Sequence, residues 1–184
     1  MNRKKRWLGI ISISALALCL LVCLAAGLAI RFAPDLHQIS MQLRSMKPGG
    51  PAPDFELSSL DGSTVRLSQF TGRPVVLSFG ASWCPDCRAE APVLQKLHET
   101  HPELVVMMVD SNESDDIVRN YAHEFGMTHP VLLDQDGKVS YQYQIYAIPT
   151  VFFIDSDGII RSMVIESVTT KLLAEKLPSI GVTP

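Results

Sequence analysis

Apolar residues follow three patterns along this chain: one unbroken run, several blocks of strand length, and stretches that recur every three or four residues. The unbroken run is residues 7–30, WLGIISISALALCLLVCLAAGLAI, 24 residues without a charge. At about 1.5 Å per helical residue it reaches ~36 Å, enough to cross a bilayer. Residues 31–50 have weak periodicity and end in Lys47-Pro48-Gly49-Gly50, a breaker cluster suited to a linker. From Pro51 to Pro184 the pattern becomes that of one folded α/β domain.

The domain opens with Phe55-Glu56-Leu57 and Thr64-Val65-Arg66-Leu67, short alternating runs on either side of Leu60-Asp61-Gly62-Ser63, whose Asp-Gly pair predicts a β-hairpin. Residues 74–80, PVVLSFG, have the composition of a buried strand, and Cys84, Cys87, Ala91, Leu94 and Leu97 behind them recur at helical spacing. Leu104–Val109 is a second apolar strand, so these segments predict a βαβ unit with parallel strands. Ser114 or Asn112 caps the next predicted helix, which carries Ile117, Val118, Tyr121, Ala122 and Phe125 on one face and stops at Gly126. Val131-Leu132-Leu133 follows as a short strand. Residues 150–155 and 159–165 flank Ser156-Asp157-Gly158 as a second hairpin, and Thr169 caps a last amphipathic helix ended by Pro178.

Charge gives the apolar run a direction. Arg3, Lys4, Lys5 and Arg6 precede it and only Arg31 follows closely, a bias that holds residues 1–6 in the cytoplasm and places the rest outside. The predicted location is the cell membrane, with residues 7–30 as a single-pass transmembrane anchor. A cleaved signal peptide is the competing reading, but the run exceeds the usual ~7–15-residue apolar core of such peptides. Cys19 and Cys23 share one face of the span and read as small hydrophobes; neither follows the small residue of a lipoprotein cleavage site. From Pro51 onward 9 Lys and Arg stand against 18 Asp and Glu, an acidic balance that argues against nucleic-acid partners.

The candidate chemistry lies in Cys84-Pro85-Asp86-Cys87, at the strand-to-helix turn of the βαβ unit. A zinc or iron-sulfur site needs about four protein ligands, yet the folded domain has no third Cys, and His98, His101, His123 and His129 are singly placed. No metal is assigned. A structural disulfide across so small a loop removes little unfolded-state entropy. A redox couple is better served: one thiol at a helix N-terminus, where free amides and the dipole favour thiolate, and a second thiol one turn on.

These residues resemble a known fold. Trp83-Cys84-Pro85-Asp86-Cys87, Pro92, and Ile148-Pro149-Thr150 before a strand look like the active-site turn, kinked helix and cis-proline loop of thioredoxin. Ala52-Pro53-Asp54-Phe55, Leu60-Asp61-Gly62, Leu67-Ser68 and Phe70-Thr71-Gly72-Arg73 resemble the membrane-anchored TlpA/ResA-like thiol-disulfide oxidoreductases of the AhpC/TSA-redoxin type, as does the extra helix and strand between Asp110 and Asp136. The fold implied is a thioredoxin fold with an N-terminal β-hairpin and a central helix-strand insertion, preceded by one transmembrane helix.

The resemblance implies that Cys84 is an exposed attacking thiolate, Cys87 the resolving thiol, and Trp83 a wall of the substrate surface. Pro149 is then a cis residue facing the disulfide, and Ile148 offers main-chain pairing to an extended peptide. Glu90 matches an acidic residue of the ResA-like branch and becomes a candidate to tune or relay the Cys87 proton, against the alternative of a solvated helix glutamate. No cofactor is implied beyond a redox-active Cys84–Cys87 disulfide. The implied partners are disulfide-containing extracytoplasmic proteins, as in cytochrome c maturation, and a membrane thiol electron donor.

Four positions depart from the pattern. Ser78 stands where thioredoxins proper keep a buried acid, Pro85-Asp86 replaces Gly-Pro between the cysteines, and Glu166 stands where a glycine borders the groove. Two rival functions remain. A peroxiredoxin-like peroxide reductase shares the Ala52-Pro53-Asp54-Phe55 opening but needs a Pro-x-x-x-Thr-x-x-Cys that surrounds neither Cys84 nor Cys87. A copper-binding assembly module would use the two reduced thiols as soft ligands.

Overall fold

The computed structural model describes residues 47–183. The predicted segments 1–6 and 7–30, and most of 31–50, lie outside these. Among the described residues no helix is long and apolar enough to cross a membrane.

Seven strands form one mixed sheet in the order β2-β1-β5-β4-β3-β6-β7. They are β1 (Glu56–Ser59), β2 (Thr64–Arg66), β3 (Val75–Gly80), β4 (Val105–Ser111), β5 (Val131–Asp134), β6 (Thr150–Ile154) and β7 (Ile160–Val164). β3, β4 and β5 run parallel, whereas β6, β7 and the opening hairpin are antiparallel to their neighbours. Among the described residues four helices cover the sheet: α1 (Pro85–Thr100), α2 (Asp115–Glu124), α3 (Lys138–Gln142) and α4 (Thr170–Lys176).

All six residues of β3 are buried, which explains its unbroken apolar run: helices and loops cover both faces of the strand. Val75, Leu77 and Phe79 join Val105, Met107, Val109 and Phe152 in one layer, closed by Phe55 and Tyr143. Val76, Val106, Val151 and Phe153 point the other way, against Leu94 and Leu97 of α1 and Leu173 of α4. Burial of each such side chain stabilises the fold by roughly 1.5–3 kcal/mol. The register Gly80↔Asp110 ends this core, so the tips of β3 and β4 open together toward the N-terminus of α1.

The Asp61-Gly62 turn closes the first hairpin, with Gly62 at φ 86° and Asp61 accepting from the Ser63 N–H and hydroxyl. β2 is shorter than its pattern predicts, because Leu67 turns inward to start a 3₁₀ turn, Leu67–Phe70. The α2 and β5 insertion lies where predicted, between β4 and β6. Ser114 is the N-cap position of α2, although its side chain makes no capping bond. α3 has no counterpart in the predicted elements. It follows Gly137 at φ 67°, and the buried Asp134 carboxylate accepts from the Val139 and Ser140 N–H groups. Thr169 caps α4 by accepting from the Leu172 N–H. α4 ends at Lys176, ahead of Pro178 as predicted, and Pro178 enters a 3₁₀ turn, Leu177–Ile180, that ends at Gly181.

Candidate active site

Cys84 is the N-cap residue of α1, with Pro85 at the first helical position. That placement leaves the first amides of the helix without partners, and one of them finds the sulfur: Cys87 N–H donates to Cys84 Sγ at 3.2 Å. Both cysteines are free thiols. Cys87 is buried against β3, where a Cβ on Gly80 would come within 3.2 Å of its sulfur. Gly80 is therefore the residue that admits the second thiol, a role its strand pattern did not signal.

The two thiols differ in environment. Burial is the main force pushing the Cys87 thiol far above its ordinary pKa; the contact with Cys84 adds to it, and the charges of Cys84 and Glu90 follow. Cys84 takes the N–H of Cys87 and faces the carbonyl of Ile148, 3.7 Å from its sulfur. Contrary to the exposed thiolate implied by resemblance, Cys84 is only 4% exposed. The neighbouring loop wraps it, and what stands out into solvent is Trp83, 69% exposed. The Ile148–Pro149 bond is cis, and the loop is pinned by Thr150 Oγ1 donating to the Ala147 carbonyl at 2.7 Å. The structure thus brings Trp83, Cys84, Cys87 and Ile148-Pro149 together.

Glu90 corrects the solvated-glutamate alternative. It is 2% exposed, accepts from Ser78 Oγ at 2.6 Å and accepts from the Val168 N–H at 3.1 Å. Burial pushes its carboxyl up to about 7, opposed by the Ser78 and Val168 bonds and supported by the charge of Asp86. Ser78 donates the bond from the strand position where thioredoxins proper carry an acid; here the acid comes from the facing helix. The sequence held a signal for this burial. Glu90 lies three residues after Cys87 and four before Leu94, so it belongs to the buried stripe of α1.

Two further contacts went unread in the sequence. Tyr121 of α2 donates its hydroxyl to the Cys87 carbonyl at 3.0 Å, and Ser167 donates to the Asp86 carbonyl at 2.7 Å. Together with Val168 they tie the first turn of α1 to α2 and to the segment after β7. Glu166 is exposed, and among the described residues no three His, Cys, Asp or Glu side chains gather to hold a metal ion.

A mixed sheet whose buried strand β3 delivers two thiols to the head of a helix, opposite a cis-proline loop, defines a thioredoxin-type scaffold. Residues 48–163 match the AhpC/TSA family, and the chain belongs to that family as a ResA- and YneN-like thiol-disulfide oxidoreductase. It is 31% identical to the thioredoxin-like protein YneN of Bacillus subtilis (strain 168) over 136 residues, 72% of this chain and 79% of that one. It is 36% identical over 141 residues to the thiol-disulfide oxidoreductase ResA of Oceanobacillus iheyensis, covering 72% of each. The crystal structure of a thiol:disulfide interchange protein of the thioredoxin family from Chlorobium tepidum superposes with a TM-score of 0.66 over 73% of this chain and 97% of that one. Its 24% identity bears on the fold alone.

Proposed function

We propose that Cys84 and Cys87 form a dithiol that reduces disulfides in exported proteins, such as those awaiting cytochrome c attachment. Residues 7–30 hold the domain at the outer face of the cell membrane in this reading. The observation that carries it is the asymmetry of the two sulfurs: Cys84 caps the helix and faces the Ile148 carbonyl, while Cys87 lies within the first turn, packed against Gly80 of β3.

In the forward step the Cys84 thiolate attacks one sulfur of a substrate disulfide. An S–S bond forms between protein and substrate, and the other substrate sulfur leaves as a thiolate that takes up a proton. The Cys87 thiol then loses its proton and attacks Cys84 Sγ; the mixed disulfide breaks, the second substrate thiol departs, and the Cys84–Cys87 disulfide remains. Two electrons have passed to the substrate, and a membrane thiol donor restores the dithiol. The Ile148 main chain aligns an extended substrate segment, with Trp83 beside it. Glu90, one helical turn beyond Cys87 and with its carboxyl pushed up to about 7 by burial, is the proton acceptor for the resolving step through water in this reading.

The direction of this reaction is tested by equilibrating the full-length protein with glutathione. A reductant has a potential well below about −180 mV, the value of isomerase-like enzymes. A potential near that of the strongly oxidising DsbA reverses the assignment.

A further inference from the structure

The inserted helix α2 reaches the active-site loop through one residue, Ser82. Glu113, in the turn before α2, accepts from the Ser82 N–H and from the Ser82 hydroxyl, each at 2.6 Å. Arg88 donates to the Ser82 carbonyl at 3.2 Å, pairs with Glu124 at the far end of α2, and lies over the rings of Tyr121 and Phe125. The residue two before Cys84 is thereby held at its amide, its hydroxyl and its carbonyl.

Behind Glu113 stands Asp110, near the end of β4 and 1% exposed. It pairs with Gly80 in the parallel register and shares the sheet face of Met108, which α1 and α2 cover. Neither of its carboxylate oxygens receives a hydrogen bond of full geometry, and the Glu113 N–H nearby favours its charge only weakly. The side chain pressed against it is another acid, Glu113. Two carboxylates in contact repel, but a single proton between them turns the contact into a hydrogen bond. The surrounding donors say where that proton sits. Glu113 accepts two bonds from Ser82 and carries the charge; Asp110, without a hydrogen bond of full geometry, takes the proton. Burial first and Glu113 next push Asp110 up to about 8.

We propose that Asp110 and Glu113 hold one proton between them, and that protonated Asp110, by donating to Glu113, is a positioning residue that keeps Glu113 on Ser82 and so fixes the loop bearing Trp83 and Cys84. Its value for catalysis rests on the reading of Cys84 as the attacking thiol. Loss of the proton sets two negative charges in contact and loosens the Ser82 grip. The other titratable and charged groups on the elements packed here are Cys84 at the N-cap of α1, Asp86, Cys87, Arg88, Glu90, Lys96, His98 and Glu99 of α1, and Asp115, Asp116, Arg119, Tyr121, His123 and Glu124 of α2. Asp134 of β5 faces the opposite layer, where it binds the start of α3.

Trp83 reports on the loop. The experiment follows its fluorescence against pH in the full-length chain carrying Trp7→Phe, Cys84→Ser and Cys87→Ser, which removes the only other tryptophan and both thiol titrations. A step is expected as pH rises through about 8. Asp110→Asn, whose amide donates to Glu113 at every pH, loses the step, and Glu113→Gln, which leaves no second charge to repel, loses it as well. Glu90→Gln keeps it. A parent protein without the step, or an Asp110→Asn or Glu113→Gln variant that retains it, overturns the proposal. Because both thiols are absent from this protein, failure of the redox reading leaves the outcome unaffected.

Discussion

Glu90 shows how one buried carboxyl links proton handling to stability. Its two hydrogen bonds, from Ser78 and Val168, hold the charged form, yet burial outweighs them and raises the carboxyl from 4.5 to about 7. The folded protein therefore binds a proton here that the unfolded chain releases, so this contribution is complete below about 4.5 and is lost as pH climbs through about 7. The loss is on the order of a few kcal/mol. Glu90→Gln, in which the amide can donate to Ser78 while its oxygen accepts from Val168, is expected to flatten the fall of Tm across this range. It is also expected to slow disulfide closure by Cys87 at neutral pH without slowing the first attack by Cys84. Thermal denaturation across pH and stopped-flow kinetics of the two steps check both outcomes; an unchanged Tm profile with unchanged closure returns Glu90 to a purely structural role. The burial was only half legible in the sequence. Helical spacing from Cys87 marks the position, but the partners that satisfy it lie 12 and 78 residues away, across the sheet and after β7.

The elements that could be read directly are those whose signal is local. Asp61-Gly62 between alternating runs became a hairpin, and the βαβ unit around PVVLSFG became the parallel β3–β4 pair that presents the thiols. α3 could not be read this way, because five residues carry no helical period and its start depends on the buried Asp134 carboxylate. The sulfur geometry was likewise hidden: Cys84 marks a helix N-terminus by sequence, but its recessed position depends on the loops that meet there. α4 matters to the site because its cap, Thr169, directly follows Val168, which donates to Glu90. Thr169→Ala is expected to cost about 1 kcal/mol. By loosening the same segment it should also lower the pKa-raising burial of Glu90, so the pH dependence described above should shrink with it. Urea denaturation at two pH values measures both effects, and a loss of stability equal at the two pH values would uncouple α4 from Glu90.

At the scale of the whole molecule, the fold carries two buried thiols with different partners to one opening of the sheet, flanked by a cis-proline loop and an exposed tryptophan. The proposed membrane attachment rests on residues 1–30 alone, where four basic residues precede 24 uncharged ones. A reporter that matures only outside the cytoplasm, fused after Pro184, is expected to be active; activity of a cytoplasm-only reporter at the same junction would place the domain on the wrong side. The division of labour between the sulfurs is the centre of the account, and Cys87→Ser tests it most directly. In cells or with a model disulfide, this full-length variant is expected to accumulate as a mixed disulfide whose protein sulfur, by peptide mapping, is Cys84, while Cys84→Ser traps none. Trapping through Cys87 in the Cys84→Ser variant, with none through Cys84, would contradict it.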